Sequence, residues 1–162
     1  MRSNEYLAGL FDGEGSFSIQ VGLRSYKSGT SAFLSPSMSV NLYYGHEVLD
    51  HFQEAFGGKI YPYTKGGRRW NLGRREALIE ATETLLPYLE IKQDIGRRFL
   101  GALNLWPTPT GPDRKSGNRC WTPELAVQVA EIALVLNPAR SRKSNKTAEY
   151  LEVLRAGCSK NP

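Results

Sequence analysis

Alternating apolar and polar positions mark the clearest strands of this chain. From residue 16 to residue 24 every second residue is apolar, which predicts a half-buried strand. The same period predicts a second strand over residues 32–43, after a turn at residues 26–31. Pro36 lies inside the second run. Because proline cannot donate a hydrogen bond to a neighbouring strand, it predicts a sheet edge or a bulge there.

Helical spacing of apolar residues marks the segments between and after the strands. Three amphipathic helices are predicted, over residues 45–56, 75–86 and 93–105. Gly57 and Gly58 are expected to end the first of these. Two shorter strands are predicted over residues 59–64 and 68–73, and Gly66 and Gly67 between them predict a hairpin turn.

With a first helix over residues 4–15, the elements follow the order α-β-β-α-β-β-α-α. This order predicts an α/β (α+β) fold, a four-stranded antiparallel sheet with helices on one face, over residues 3–105. A loop rich in proline and glycine follows at residues 106–121. Thr122 and Pro123 then begin a helix that ends at Leu136, and a last helix is predicted over residues 147–155. We therefore predict one domain over residues 1–162, with a C-terminal helical extension over residues 122–157.

Composition limits the class of protein. The chain carries 21 Lys and Arg against 16 Asp and Glu, a net charge of +5, which suits a polyanionic partner without requiring one. The two cysteines, Cys120 and Cys158, lack the spacing of a zinc ribbon and suit an intracellular, reducing compartment. No apolar run is long enough to span a membrane, and no signal peptide is expected before the first helix.

The polar face of the predicted sheet is a candidate nucleic-acid surface. Its side chains are the types that contact base edges and phosphates, and acids are almost absent. The residues are Ser18, Gln20, Arg24, Ser39, Asn41, Tyr61, Tyr63, Lys65, Arg69 and Asn71. Patterning alone leaves an ordinary water-facing sheet equally open. In the basic run 140–146, Arg140, Arg142 and Lys143 either contact phosphates or are simply solvated.

The stretch Tyr6-Leu-Ala-Gly-Leu-Phe-Asp-Gly-Glu-Gly15 combines two unusual features. One helix face is expected to be small and open to close approach by another backbone; its residues are Ala8, Gly9, Asp12 and Gly13. Gly13 and Gly15 are expected to end the helix with positive φ. Glu14 then lies at the negative end of the helix dipole, which suggests a bound cation. The alternative is a capping loop with a solvated acid.

This stretch resembles the signature of the LAGLIDADG homing endonucleases, and the order of elements is similar through about residue 105. The motif occurs once, as in the homodimeric branch of that family. The resemblance implies that motif helices of two copies pair through Ala8, Gly9, Asp12 and Gly13. It also implies that the Glu14 carboxylate and the Gly13 carbonyl bind a divalent metal, Mg²⁺ with Mn²⁺ as a substitute, at double-stranded DNA.

Two further catalytic residues are implied by the resemblance. Lys92 lies in Pro87-Tyr-Leu-Glu-Ile-Lys-Gln93, which is similar to a family segment whose lysine lies beside the metal. A solvated lysine at a helix start is the alternative. Asn41 stands where the family often has a glutamine near the end of the second strand, a departure from the family pattern.

The predicted function is a site-specific double-strand DNA endonuclease. It would cut a long pseudo-palindromic site as a homodimer, leave short 3′ overhangs, and promote copying of an intron or intein. Neither an organic cofactor nor a membrane partner is expected. The alternatives are a non-cleaving nucleic-acid-binding relative, such as an intron RNA maturase or a DNA-binding regulator, and a structural or partner-binding domain.

Overall fold

The computed structural model of the 162-residue chain describes residues 2–26, 29–106, 123–136 and 150–152. The chain divides into two compact units, Met1–Ser18 with Ser35–Leu103, and Ile19–Leu34 with Asn104–Pro162. The assignment of 1–162 to a single domain stays a prediction. None of the described helices is both long enough and apolar enough to cross a membrane.

The observed elements follow the predicted order. The helices are α1 (Asn4–Glu14), α2 (Val48–Phe56), α3 (Arg75–Leu85), α4 (Gln93–Asn104) and α5 (Pro123–Leu136). The strands are β1 (Gly15–Tyr26), β2 (Gly29–Leu42), β3 (Lys59–Pro62) and β4 (Arg68–Leu72). Residues 150–152, inside the predicted last helix, are helical. The α+β fold class is confirmed.

The strands form one four-stranded sheet in the order β1-β2-β4-β3. β4 pairs antiparallel with β2 on one side and with β3 on the other. Asn41 lies opposite Arg69, which in turn lies opposite Tyr61, while Val40, Trp70 and Ile60 form the adjacent row. Because successive residues of a strand point to opposite faces, these two rows belong to opposite faces of the sheet.

Aromatic contacts hold the helices on the apolar face. Phe17 of β1 packs between Phe11 of α1 and Phe99 of α4, with ring centroids 4.8 and 5.0 Å away. Trp70 of β4 packs against Phe52 of α2 at 5.0 Å, and both side chains are fully buried. Each such ring buries a large apolar area, which stabilises a small domain. The prediction of helices on one face is confirmed for α1, α2 and α4.

Two expectations about β2 need correction. The predicted turn at 26–31 extends too far at both ends, because Tyr26 belongs to β1 and Gly29 already begins β2. Of the two alternatives for Pro36, an edge strand is wrong, since β2 is central, and a bulge stays a prediction. However, the described pairing of β2 with β4 runs only from Met38 to Leu42. Pro36 lies beyond it, so its missing N–H removes no hydrogen bond to β4.

The hairpin between β3 and β4 is longer than predicted. A short 3₁₀ turn spans Thr64–Gly66, in which Lys65 has φ 57° and Gly66 has φ 81°. Tyr63 donates its backbone N–H to the Gly67 carbonyl at 2.7 Å, which closes the loop. At the start of β3, Gly58 has φ 88°, and a Cβ there would lie 2.7 Å from the Asn71 carbonyl oxygen. Glycine is therefore required at position 58.

Candidate active site and nucleic-acid interface

The motif helix α1 begins at a conventional cap. The Ser3 hydroxyl accepts a hydrogen bond from the Tyr6 backbone N–H at 3.4 Å. The backbone N–H of Glu5, and then the Ser3 side chain, hold the pKa of the exposed Glu5 carboxyl below its ordinary value. The helix is thereby fixed at its start, before the residues that carry the candidate chemistry.

The two faces of α1 are not divided as the sequence predicted. Ala8 and Asp12 are buried within the chain, at 0% and 8% exposure, together with Leu7 and Phe11. Only Gly9 and Gly13 of the expected small face are exposed, and a Cβ at either would meet nothing within 4 Å. Ala8 and Asp12 lie about one-third of a turn away from them, and that side of α1 faces its own chain. The open stripe therefore narrows to Gly9 and Gly13.

The end of α1 also differs from the expectation of positive φ. Gly13 is helical, and Gly15 is extended with φ −80° and ψ 162°. Glycine is needed at position 15 for a different reason, because a Cβ there would lie 2.4 Å from the Phe11 ring. The chain can thus leave the helix tightly against Phe11, and Glu14, the last helical residue, is left exposed.

Asp12 joins the end of α1 to the start of α4. Its carboxylate accepts backbone N–H groups from Glu90 at 2.7 Å, Ile91 at 3.2 Å and Lys92 at 2.9 Å. Gly96 donates its N–H to the Lys92 carbonyl at 2.8 Å, so residue 92 stands at the N-terminus of α4. A carboxylate is favourable at that positive end of a helix. The sequence places Asp12 either near the dimer axis or in a capping role, but it could not identify these partners, which are 78 to 80 residues away.

Lys92 reaches back to α1 in return. Its ammonium donates a hydrogen bond to the Asp12 backbone carbonyl, one of the last carbonyls of the helix. A cation is favourable at the negative C-terminal end of α1. Lys92 therefore lies beside the helix end that carries Gly13 and Glu14.

The donor set at this helix end suits a hard divalent cation. Glu14 supplies an exposed carboxylate, and the Gly13 carbonyl has no helical partner because Phe17, four residues on, already belongs to β1. Both donors are oxygens, as Mg²⁺ prefers. Within the described residues, no group of three or more His, Cys, Asp or Glu side chains could hold a metal ion.

The polar face of the sheet brings part of the predicted DNA-contacting set together. Two rows cross β2, β4 and β3: Asn41, Arg69 and Tyr61, and then Ser39, Asn71 and Lys59. No strand residue in the described ranges is an aspartate or glutamate. Lys65 is exposed at the hairpin. The acid-poor character that the sequence suggested is therefore a property of the folded sheet.

The remaining predicted residues are placed as follows. On β1, Ser18 is half-buried and Gln20 is exposed, and the backbone of Arg24 lies in the same strand. Arg140, Arg142 and Lys143 lie outside the described residues, as do Cys120 and Cys158. Tyr43, which the sequence did not single out, lies 6.2 Å from Tyr63 between ring centroids.

An exposed acid at a tightly turned helix end, a lysine beside it and an acid-poor sheet face are the features expected of an α+β nucleic-acid enzyme or of a relative of one. Comparison with known sequences is consistent with that class. The model of the LAGLIDADG endonuclease family matches residues 7–101, more than half of the chain. The chain therefore belongs to the LAGLIDADG endonuclease family. No curated protein sequence matches it.

Solved structures of homing endonucleases share the fold. I-CvuI, in complex with its target in the presence of calcium, has a TM-score of 0.73 and 21% identity, covering 96% of this chain and 94% of that one. I-TnaI has a TM-score of 0.69 and 19% identity, covering 93% and 98%. I-SmaMI, bound to cleaved DNA, has a TM-score of 0.71 and 19% identity. All of this chain matches it, but only 50% of I-SmaMI is covered.

Proposed function

We propose that this protein is a site-specific homing endonuclease that hydrolyses both strands of duplex DNA as a homodimer. One observation carries the proposal. The exposed Glu14 carboxylate and the Lys92 ammonium share one helix end, because Lys92 donates to the Asp12 carbonyl two residues before Glu14. An acid and a cation fixed together suit phosphodiester hydrolysis, where a metal must be held and phosphate charge must be stabilised.

Mg²⁺ would be held by the Glu14 carboxylate and the Gly13 carbonyl, with phosphate oxygens and water completing its shell. Mn²⁺ would be accepted by the same oxygens. When bound, the ion lowers the pKa of a water molecule and neutralises charge on the leaving oxygen. Asn41 stays a predicted catalytic residue, although its observed contact is with Arg69.

The chain's own groups would orient the phosphate and neutralise its charge. The Lys92 ammonium lies at the end of α1, where it can interact with a phosphate oxygen as negative charge increases there. Asp12 holds the backbone N–H groups of Lys92 and of the two residues before it, so the lysine is positioned before DNA binds. Such preorganisation is the main way in which a site of this kind lowers a reaction barrier.

Pairing of two copies through α1 would place two such sites together. Gly9 and Gly13 leave an open stripe on the helix, with nothing within 4 Å of either. Stripes of small residues let two helices approach closely. The two Glu14 carboxylates would then lie near a two-fold axis, one for each strand. Each sheet would contact one half of a long pseudo-palindromic site, and the cuts would leave short 3′ overhangs.

The wider role would be the copying of an intron or intein into an uncut allele. Relatives with the same fold include the archaeal intron-encoded I-Vdi141I in complex with DNA, which supports DNA as the partner here. The proposed partner is accordingly double-stranded DNA, with a second copy of this chain.

Cleavage of a randomised duplex library tests the proposal. With Mg²⁺, the protein should cut a small set of related sequences in both strands, and sequencing of the ends should show 3′ overhangs. Without a divalent ion, the same sequences should stay intact. Selective binding of the library with no cutting in Mg²⁺ or Mn²⁺ would instead favour the non-cleaving relative and refute the endonuclease.

A further inference from the structure

Arg69 is held in place by two neighbours on the polar face of the sheet. Its Nε donates a hydrogen bond to the Asn41 side-chain oxygen, from the residue directly opposite on β2. Its guanidinium carbon lies 4.4 Å from the centre of the Tyr63 ring, a cation–π contact. One edge and one face of the guanidinium are therefore already occupied.

These contacts leave a defined pair of donors. Among the described residues, neither terminal nitrogen of Arg69 has a hydrogen-bond partner. With Nε engaged, the remaining edge of the planar fork presents two parallel N–H groups. That edge matches two acceptors side by side, which the O6 and N7 atoms of guanine provide in the major groove.

The place of Arg69 in the sheet favours a base edge over a phosphate. β4 is an inner strand, and Arg69 has Asn41 on one side and Tyr61 on the other. Trp70, the next residue, is fully buried on the opposite face, so Arg69 extends from a rigid part of the strand. An immobilised arginine loses little conformational freedom on binding, which favours a contact of defined geometry.

We propose that Arg69 recognises one guanine in each half-site, and that Asn41 and Tyr63 are positioning residues that hold it for that contact. This inference rests on the proposed function, because it requires sequence-specific duplex binding. It deepens that function by naming a base and the residues that select it.

Binding selections test it without any cutting. The protein and its variants are incubated with randomised duplex DNA in Ca²⁺, and base preference is measured at every position of the bound pool. Arg69→Lys should lose the preference for guanine at one position of each half-site by on the order of 10- to 100-fold. Preferences at other positions should not change.

The positioning residues give a second, independent readout. Asn41→Ala and Tyr63→Leu should weaken the same guanine preference by about 2- to 10-fold. Neither change should add further loss to Arg69→Lys, since both act through that side chain. Arg68→Lys is the matched control. Arg68 is exposed on the same strand but belongs to the opposite face of the sheet from Arg69, so its change should leave every base preference intact.

Several results would overturn the inference. Uniform weakening of all sequences by Arg69→Lys would identify a phosphate contact instead. Full retention of the guanine preference by Arg69→Lys would exclude Arg69 as the residue that recognises guanine. An effect of Asn41→Ala at another base position would exclude the positioning role of Asn41. If the unaltered protein showed no base preference at all, the proposed function would fail, and this inference with it.

Discussion

Asp12 shows how one buried carboxylate can connect two parts of a site. It accepts three backbone N–H groups at the start of α4, and its own carbonyl receives the Lys92 ammonium. The sequence placed Asp12 on the pairing face, since helical spacing cannot show which neighbouring face the rest of the chain covers. The long separation from residues 90–92 leaves no local signal.

Removing the Asp12 carboxylate should therefore affect stability and catalysis within one chain. Asp12→Ala leaves three N–H groups without their acceptor and should lower the free energy of unfolding by about 1–3 kcal/mol. Cleavage by the folded variant should slow because Lys92 is no longer held. Urea unfolding and single-turnover cleavage measure the two effects. Unchanged stability together with dissociation into monomers would instead support the pairing role that the family resemblance implies for Asp12.

Gly15 makes a second case at the scale of one residue. The sequence identified a glycine at the helix end correctly but assigned it a positive φ, whereas the structure shows an ordinary φ and a close approach to Phe11. Contact with a ring four residues earlier depends on how the chain leaves the helix, and a residue pattern does not encode that directly.

Gly15→Ala should consequently be destabilising, by about 1–3 kcal/mol, because the added methyl group overlaps the Phe11 ring. Gly101→Ala is the control. Gly101 is an exposed residue of α4, and a Cβ added there would meet nothing within 4 Å. Alanine at this position should therefore raise the free energy of unfolding by up to about 1 kcal/mol. Equal unfolding midpoints in urea for the two variants would contradict the steric explanation.

At the scale of elements, periodicity predicted the fold well. The alternation in β1 and β4 and the amphipathic pattern of α2 each correspond to an observed element, with ends shifted by a few residues. The main error was the turn at 26–31. Gly, Thr and Ser there have turn-like composition, yet Gly29–Ser31 belong to β2. Pairing between strands stabilises such residues in extended form, and a local pattern cannot show it.

The open stripe of α1 gives the prediction about assembly. Gly9→Leu should leave the chain folded, because a Cβ at 9 meets nothing and leucine favours a helix more than glycine does. It should nevertheless keep two motif helices apart and yield a monomer by sedimentation. Gly101→Leu makes the same exchange at another exposed helix position and should leave the dimer intact. A wild-type protein that sediments as a monomer, with and without DNA, would exclude the homodimer.

At the scale of the whole molecule, the position of the charged residues matters as much as their number. A net charge of +5 is modest, but the four described strands contain no acid, and the exposed acid Glu14 lies at the end of the motif helix. The sequence predicted both features, since each depends on the order of residues. It could not predict the network of Asp12 and Lys92, or the contacts of Asn41 and Tyr63 with Arg69, because these join distant segments.

The central claim is that Glu14 holds the metal that cuts DNA. Glu14→Gln keeps the size of the side chain and removes its charge, so specific DNA binding should persist while cutting is lost. Glu83→Gln, at an exposed position of α3, is the matched control and should cut normally.

Single-turnover cleavage of a selected target at saturating enzyme, in Mg²⁺, separates chemistry from binding. We expect no detectable product from Glu14→Gln, and normal product from the unaltered protein and from Glu83→Gln. Cleavage by Glu14→Gln at the rate of the unaltered protein would contradict the account.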